Sequence, residues 1–175
     1  MKKFIKIFAV YLITYFASSA IIFAVENQDM FCKINKKYSD LGKKTNKSLK
    51  LQLYKRKRKN DLSKLNYDFE KWTGKIEAID SVGDDSAYVS VSVCKNVTIK
   101  TWNNSFSDLM NKTLINIDSE LYEKLLDLEE GDKVIISGRF TKSQTDFFQE
   151  SSMTDSGSLS EPEFIVNFED IIKIN

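Results

Sequence analysis

The sequence predicts a mainly β domain of the α+β class, preceded by a helical segment. Three observations support this prediction. From Trp72 onward, apolar residues recur at every second position, which is the spacing of half-buried strands. Before Phe69 they recur at every third or fourth position, which is helical spacing. A single stripe at helical spacing, from Leu121 to Leu128, interrupts the strands.

The amino terminus resembles an export signal. Lys2, Lys3 and Lys6 precede an uncharged, apolar stretch over residues 7–25, the arrangement of a secretory signal peptide. We therefore predict a signal over residues 1–24 and a secreted or periplasmic protein. The alternative is an uncleaved anchor in the inner membrane through residues 7–25, which are numerous enough to span a bilayer. Lysines that follow the stretch closely fit a cleaved signal better than an anchor.

Residues 25–69 form a predicted basic helical segment, which Gly42 divides into two helices. The apolar positions of the two helices share helical spacing: Met30, Phe31, Ile34, Tyr38 and Leu41, then Leu49, Leu53, Leu62 and Leu65. From Lys33 to Lys75 the chain carries 15 cations and 4 anions, a net charge of +11. From Ile76 to Asn175 it carries 8 cations and 19 anions, a net charge of −11. Two parts so different in charge have different partners or attract each other.

The second helix carries five successive cations, which are Lys55, Arg56, Lys57, Arg58 and Lys59. A solvated helix face is the commonest role of such a run. Binding to an anionic membrane surface, binding to nucleic acid, and packing against the acidic domain are the alternatives.

Residues 70–175 form the predicted β domain, whose strands follow from their alternation. Trp72, Ile76 and Ala78 share one face of the first strand. The next two strands direct Val89, Val91, Val93, Val97 and Ile99 to the same side. After a helix that begins at Asp118–Glu120, a fourth strand places Val134, Ile136, Gly138 and Phe140 on one face. A fifth strand runs from Glu163 to Ile174. Residues 150–163 have the composition of an exposed turn, which is either a solvated connector or the loop between the last two strands that frames an OB site.

Three strands, a helix and two further strands are the element order of an OB-fold, a five-stranded Greek-key barrel. The run from Leu128 to Gly138 reads L-x-x-G-D-x-V-x-x-x-G and resembles the entry to the fourth strand of many OB domains. The stretches 72–76, 100–104, 150–158 and 161–164 are similar to motifs of exported bacterial proteins with an OB-fold-like, tRNA-anticodon-binding-like domain. This resemblance covers roughly residues 72–172. It implies an OB-like fold and export from the cytoplasm, but it identifies no catalytic residues.

The outer face of the second and third strands is the predicted ligand-binding face, because OB-folds commonly bind there. Side chains that alternate with the inward valines and isoleucine point to this face, and they are Tyr88, Ser90, Ser92, Thr98, Lys100 and Trp102. Aromatic side chains beside a cation suit stacking on a base or a sugar. The net charge of −11 opposes a polyphosphate ligand, so a protein, peptide or glycan ranks above nucleic acid. Alternatively, Trp102 has only a structural role and packs beneath the segment that follows it.

Several chemistries are excluded or disfavoured. The sequence has no histidine, which removes Ser-His-Asp and Cys-His catalysis. Cys32 and Cys94 are too few for a structural zinc site, and no cofactor or metal is predicted. In an oxidising compartment the two cysteines would form a disulfide, and otherwise they are two separate buried thiols. We therefore predict a non-enzymatic, OB-like binding module of the bacterial cell envelope. A nucleic-acid-binding protein that uses the basic helices is the alternative, and a hydrolase using paired carboxylates is a distant third.

Overall fold

A computed structural model describes residues 27–174, which form an α+β fold of five helices and six strands. The helices are α1 (27–42), α2 (Ser48–Leu62), α3 (Ser105–Asp108), α4 (Glu120–Leu125) and α5 (Asp155–Ser160). The strands are β1 (Asp68–Val82), β2 (Ser86–Cys94), β3 (Val97–Lys100), β4 (Ile115–Asn116), β5 (Lys133–Phe140) and β6 (Glu163–Lys173). The predicted signal peptide (1–24) and the alternative anchor (7–25) lie outside the described residues. Between residues 27 and 174, no helix combines the length and apolarity needed to span a membrane.

Five of the strands close into a ring. β1 pairs antiparallel with both β2 and β5, β2 pairs antiparallel with β3, and β5 pairs antiparallel with β6. A parallel pairing of β3 with β6 closes the ring. β4, which has only two residues and was not predicted, adds to β2 at Ser86 and Ala87. The sheet is therefore mixed and has six strands rather than the five predicted.

The side chains predicted to point inward do form the interior of the ring. Val91, Ile99, Val134 and Ile136 are fully buried in one core cluster, which confirms the predicted inward face of β2, β3 and β5. Gly138 is also required there, because a Cβ at this position would lie 2.9 Å from the Phe69 ring and closer still to the Asn167 carbonyl oxygen.

The start of β1 departs from simple alternation. Phe69 and Trp72 are both buried although they are three positions apart. A β-bulge between them, with Lys71 at a φ of 54°, rotates the chain so that both side chains point inward. The alternation predicted from Trp72 onward is correct as far as Ile76. A second β-bulge follows, so Ile79, which pairs with the buried Val89, packs against the core in place of the predicted Ala78.

Helix α1 contributes directly to the core of the ring. Phe31 is fully buried, and its ring centroid lies 5.1 Å from that of Trp72 and 5.3 Å from those of Phe140 and Phe164. Aromatic pairs at these separations stabilise a core beyond the area they bury. The basic helical segment and the β domain therefore share one hydrophobic core within the described residues.

Helix α2 buries only part of its predicted apolar stripe, because Leu62 is buried as predicted but Leu49 and Leu53 are not. Leu49 is 82% exposed and Leu53 is 37% exposed, whereas Leu51, Arg58 and Leu62 are buried. Leucines at 49, 51 and 53 cannot all face one neighbour, because residues two apart point to different sides of a helix. Contact with the buried Leu159 of α5 selects Leu51.

The two basic helices are joined by a carboxylate. Asp61 near the end of α2 accepts hydrogen bonds from Lys37 (2.9 Å), the Tyr38 hydroxyl (2.7 Å) and Lys64 (3.0 Å). The bonds from Lys37, Tyr38 and Lys64, in that order, hold the pKa of the Asp61 carboxyl well below its usual range.

Candidate functional site

An open cleft of about 400 Å³ lies between the end of β3 and the segment that precedes β6. We call it the β3 cleft. Lys100, Trp102 and Asn103 line one side. The other side consists of residues 151–153, Gly157, Glu161 and Glu163. Two of the six residues predicted for ligand binding, Lys100 and Trp102, therefore line this cleft.

An ion pair forms the floor of the β3 cleft. The Lys100 ammonium donates to the Glu163 carboxylate, and the Ser151 hydroxyl donates to the same oxygen at 2.8 Å. Lys100 is mostly buried, with 12% of its side chain exposed, whereas 44% of the Glu163 side chain is exposed. Burial raises the pKa of the Glu163 carboxyl, but the bonds from Lys100 and Ser151 outweigh it and leave the pKa below its ordinary value. Glu163 is therefore an ionised hydrogen-bond acceptor at the cleft surface.

The indole of Trp102 is held in one orientation by its neighbours. Its Nε1–H donates to Asn111 Oδ1 at 3.1 Å, and its backbone N–H donates to Thr113 Oγ1 at 2.8 Å. Thr113 is in turn fixed by Asp108, whose Oδ1 accepts from the Thr113 N–H and hydroxyl. The side chain is half-buried, so part of the ring surface faces the cleft. A ring that is already oriented loses little entropy when a ligand stacks on it.

Three exposed apolar side chains lie on α3 and the turn after it, in the segment that fixes Trp102. Phe106, Leu109 and Met110 are 84%, 67% and 91% exposed. Asn111, the partner of the indole, follows directly, so this segment folds back toward Trp102. Met153, on the opposite side of the cleft, is almost completely exposed.

The far wall of the cleft is anchored to α2. Arg58 is 1% exposed, donates to the Ser158 carbonyl and hydroxyl, and lies 5.5 Å from the centre of the Phe164 ring. Burial lowers the pKa of Arg58. Lys55 pairs with Asp155 at 3.0 Å. The segment 150–163 was predicted to be an exposed turn. It instead contains helix α5, with Ser158 and Leu159 buried, and contacts from α2 hold it in place.

These contacts account for most of the basic run. Arg58 is buried and cannot reach an anionic surface, Lys55 is paired, and Lys59 donates to the Thr145 carbonyl at 2.7 Å. Arg56 and Lys57 are exposed. A solvated face describes only part of the run, because the other cations pack against the acidic domain.

The remaining residues of the predicted binding face do not line the β3 cleft. Tyr88, Ser90, Ser92 and Thr98 have the predicted outward parity, but Ser90 is buried. The Thr98 hydroxyl donates to Glu77 at 2.9 Å. The contact of Glu163 and Ser151 with Lys100 was not predicted, since β3 and β6 come together only in the fold and Ser151 is bonded to Glu163. The one available signal was the position of Glu163 at the start of the last strand.

Cys32 and Cys94 are joined by a disulfide, with their Cα atoms 6.0 Å apart. The bond connects α1 to the end of β2 and so ties the basic segment to the ring. Among residues 27–174, no three His, Cys, Asp or Glu side chains are grouped closely enough to hold a metal ion.

Comparison with known proteins does not assign a family. The sequence matches no protein-family model, and a search of curated proteins finds no match.

Proposed function

We propose that this chain is a non-enzymatic binding module with an OB-like Greek-key barrel, and that it binds an extended segment of a partner protein in the β3 cleft. Two features support the OB-like assignment. The third strand of the ring lies parallel to the last one, and a helix separates the third from the fourth ring strand. A five-stranded Greek-key barrel is the architecture of OB domains.

The position of the cleft carries the proposal. OB-folds bind ligands on the face of their second and third strands and in the adjoining loops. The β3 cleft lies between the end of β3 and the loop between the last two strands. Lys100 and Trp102, from β3 and its extension, therefore line the cleft together with Ser151 from that loop and Glu163 from the start of β6.

The side chains around the cleft favour a polypeptide ligand. The exposed Met153 and the half-buried Trp102 both line the cleft, and an exposed apolar side chain beside a tryptophan is typical of protein-binding surfaces. Glu163 and Ser151 supply polar groups that can bond to backbone or side-chain donors of the ligand.

The charges around the cleft disfavour nucleic acid. Lys100 is neutralised by Glu163, and Glu161 adds a second carboxylate to the lining. Nucleic-acid-binding surfaces instead present free cations to phosphate. Since three of the five cations in the basic run make intramolecular contacts, only Arg56 and Lys57 remain exposed there.

A peptide selection tests this function. Random twelve-residue peptides would be selected on the full chain, and the affinity of the best synthetic peptide measured by calorimetry. We expect the double variant Trp102→Ala/Met153→Ser to weaken binding by at least about tenfold, and Trp102→Ala alone to account for most of the loss, as truncation of central interface residues does. Lys57→Ser is the matched control, because Lys57 is exposed on α2 and does not line the cleft. Peptide binding that Trp102→Ala leaves unchanged would contradict the proposed site.

A single-stranded oligonucleotide distinguishes the alternative function. We expect no saturable binding of a fifteen-residue oligothymidylate at low salt. Binding that weakens steeply from about 20 to 200 mM salt and disappears in Arg56→Ala/Lys57→Ala would instead support the nucleic-acid hypothesis.

We also propose that the protein is exported, with removal of residues 1–24. The Cys32–Cys94 disulfide supports this, because such bonds persist in oxidising compartments. Amino-terminal sequencing of the protein from a periplasmic fraction tests the proposal. A chain recovered only from the inner membrane with residues 7–25 intact would support the anchor instead.

A further inference from the structure

A second cavity, of about 350 Å³, lies between α1 and the turn that joins β2 to β3. Its floor is apolar and includes the Cys32–Cys94 disulfide, the buried Val97 and the buried Pro162. Its volume falls at the lower end of the range that small-molecule sites occupy. We call it the disulfide cavity.

Lysines surround this apolar floor. Lys33, Lys36 and Lys43 extend from α1 and the turn after it, and Lys95 extends from the facing turn. Two aspartates also line the cavity, so its lining has a net positive charge. Lys36 is neutralised by Asp40. Lys33, Lys43 and Lys95 form no ion pair with any residue from 27 to 174.

The disulfide cavity and the β3 cleft lie on opposite sides of one short stretch of chain. Ser160 and Pro162 line the cavity, whereas Glu161 and Glu163 line the cleft. Successive side chains of an extended chain point to opposite sides, so this stretch contributes lining residues to the disulfide cavity on one side and to the β3 cleft on the other. The two sites have no lining residue in common and opposite charge.

We infer that the disulfide cavity binds a small amphiphilic anion, with its apolar body on the disulfide floor and its carboxylate between Lys33 and Lys95. An apolar floor with a few polar or charged groups at its edge is the usual composition of a small-molecule site. Ammonium groups that form no ion pair within residues 27–174 favour a negative headgroup, and the size of the cavity favours one short chain over an extended polymer. This site is separate from the peptide-binding cleft and does not depend on it.

Decanoate, decanol and decyltrimethylammonium, each below its micelle concentration, test this inference with the full chain. Backbone amide shifts in NMR spectra report the binding site and the affinity. We expect decanoate to bind at least about tenfold more tightly than decyltrimethylammonium, with the largest shifts at residues 94–97. Equal binding of the three probes, or no binding of decanoate, would overturn the inference.

Charge reversal of exposed residues tests the assigned lysines without disturbing the core. Lys33→Glu/Lys95→Glu should weaken decanoate binding by at least about tenfold, because two attractive contacts become repulsive. Lys57→Glu/Lys112→Glu makes the same change in net charge at exposed residues outside the cavity and should leave the affinity within about twofold. Equal effects of the two double variants would refute the site.

An anionic lipid in a membrane surface offers the same combination of apolar chain and negative headgroup as a soluble amphiphilic anion. Vesicles of phosphatidylglycerol would be sedimented with the full chain in parallel with the decanoate titration. We expect the protein to bind decanoate and to remain in the supernatant. Sedimentation that requires Lys33 and Lys95, without decanoate binding, would replace the soluble anion with an anionic lipid surface.

Discussion

Loss of the Cys32–Cys94 bond should destabilise the protein substantially. The two cysteines are 62 positions apart, and the entropy of closing a loop of that length corresponds to about 4 kcal/mol at 25 °C. The bond also attaches α1, whose Phe31 side chain completes the aromatic core. For a chain of this size we expect Cys32→Ser/Cys94→Ser to lower the melting temperature by roughly 8 to 16 °C.

Urea denaturation of wild type, both single variants and the double variant provides the assay. If the cysteines are bonded, either serine substitution removes the whole bond, so each single variant should lose nearly as much stability as the double variant. Two free thiols would instead make the single effects small and additive. A loss below about 1 kcal/mol in the double variant, or two free thiols in the denatured wild type, would refute the reasoning.

Three further predictions concern the core and the helix junction. Phe31→Ala should cost about 3–5 kcal/mol in urea denaturation, because it leaves a cavity among the aromatic rings; the half-exposed Met30→Ala is its control, and equal losses would contradict the packing role. Gly138→Ala should cost about 1–3 kcal/mol, since the added Cβ has no room, and an unchanged urea midpoint would argue against that close contact. Asp61→Asn should cost up to about 1 kcal/mol at pH 7. Because the folded pKa of Asp61 is depressed, its contribution is present above pH ~4 and is lost as the pH falls further. Urea titrations at pH 7, 4 and 2 check this, and a deficit that persists undiminished at pH 2 would count against it.

The β ring could be predicted because its signal is local. The inward positions of β2, β3 and β5 follow from alternation within each strand, and Val91, Ile99 and Ile136 meet in one core as expected. The start of α4 could also be predicted from the sequence, because its capping bond is local: the Ser119 hydroxyl accepts from the Tyr122 N–H within one turn. The bulge between Phe69 and Trp72 was not, since it depends on how β1 fits against β5.

The candidate site was only half predictable, for a related reason. Lys100 and Trp102 followed from parity on β3, but Glu163 lies 63 positions from Lys100 and reaches it only after the parallel β3–β6 pairing forms. The face of α2 is a similar case. Local spacing favoured Leu49 and Leu53, whereas contact with Leu159 selects Leu51.

The sequence by itself determined the fold class, the inward faces of three strands, the helical nature of the basic segment, and the exclusion of histidine chemistry. These properties depend on residue identity and on spacing within a few positions. Only the tertiary structure decided that Arg58 is buried, that Cys32 bonds to Cys94, and that two cavities of opposite charge lie on either side of residues 160–163. Each of these depends on which distant segments come together. Periodicity along the chain carries no information about that, because contacts between remote residues are set by the packing of whole elements.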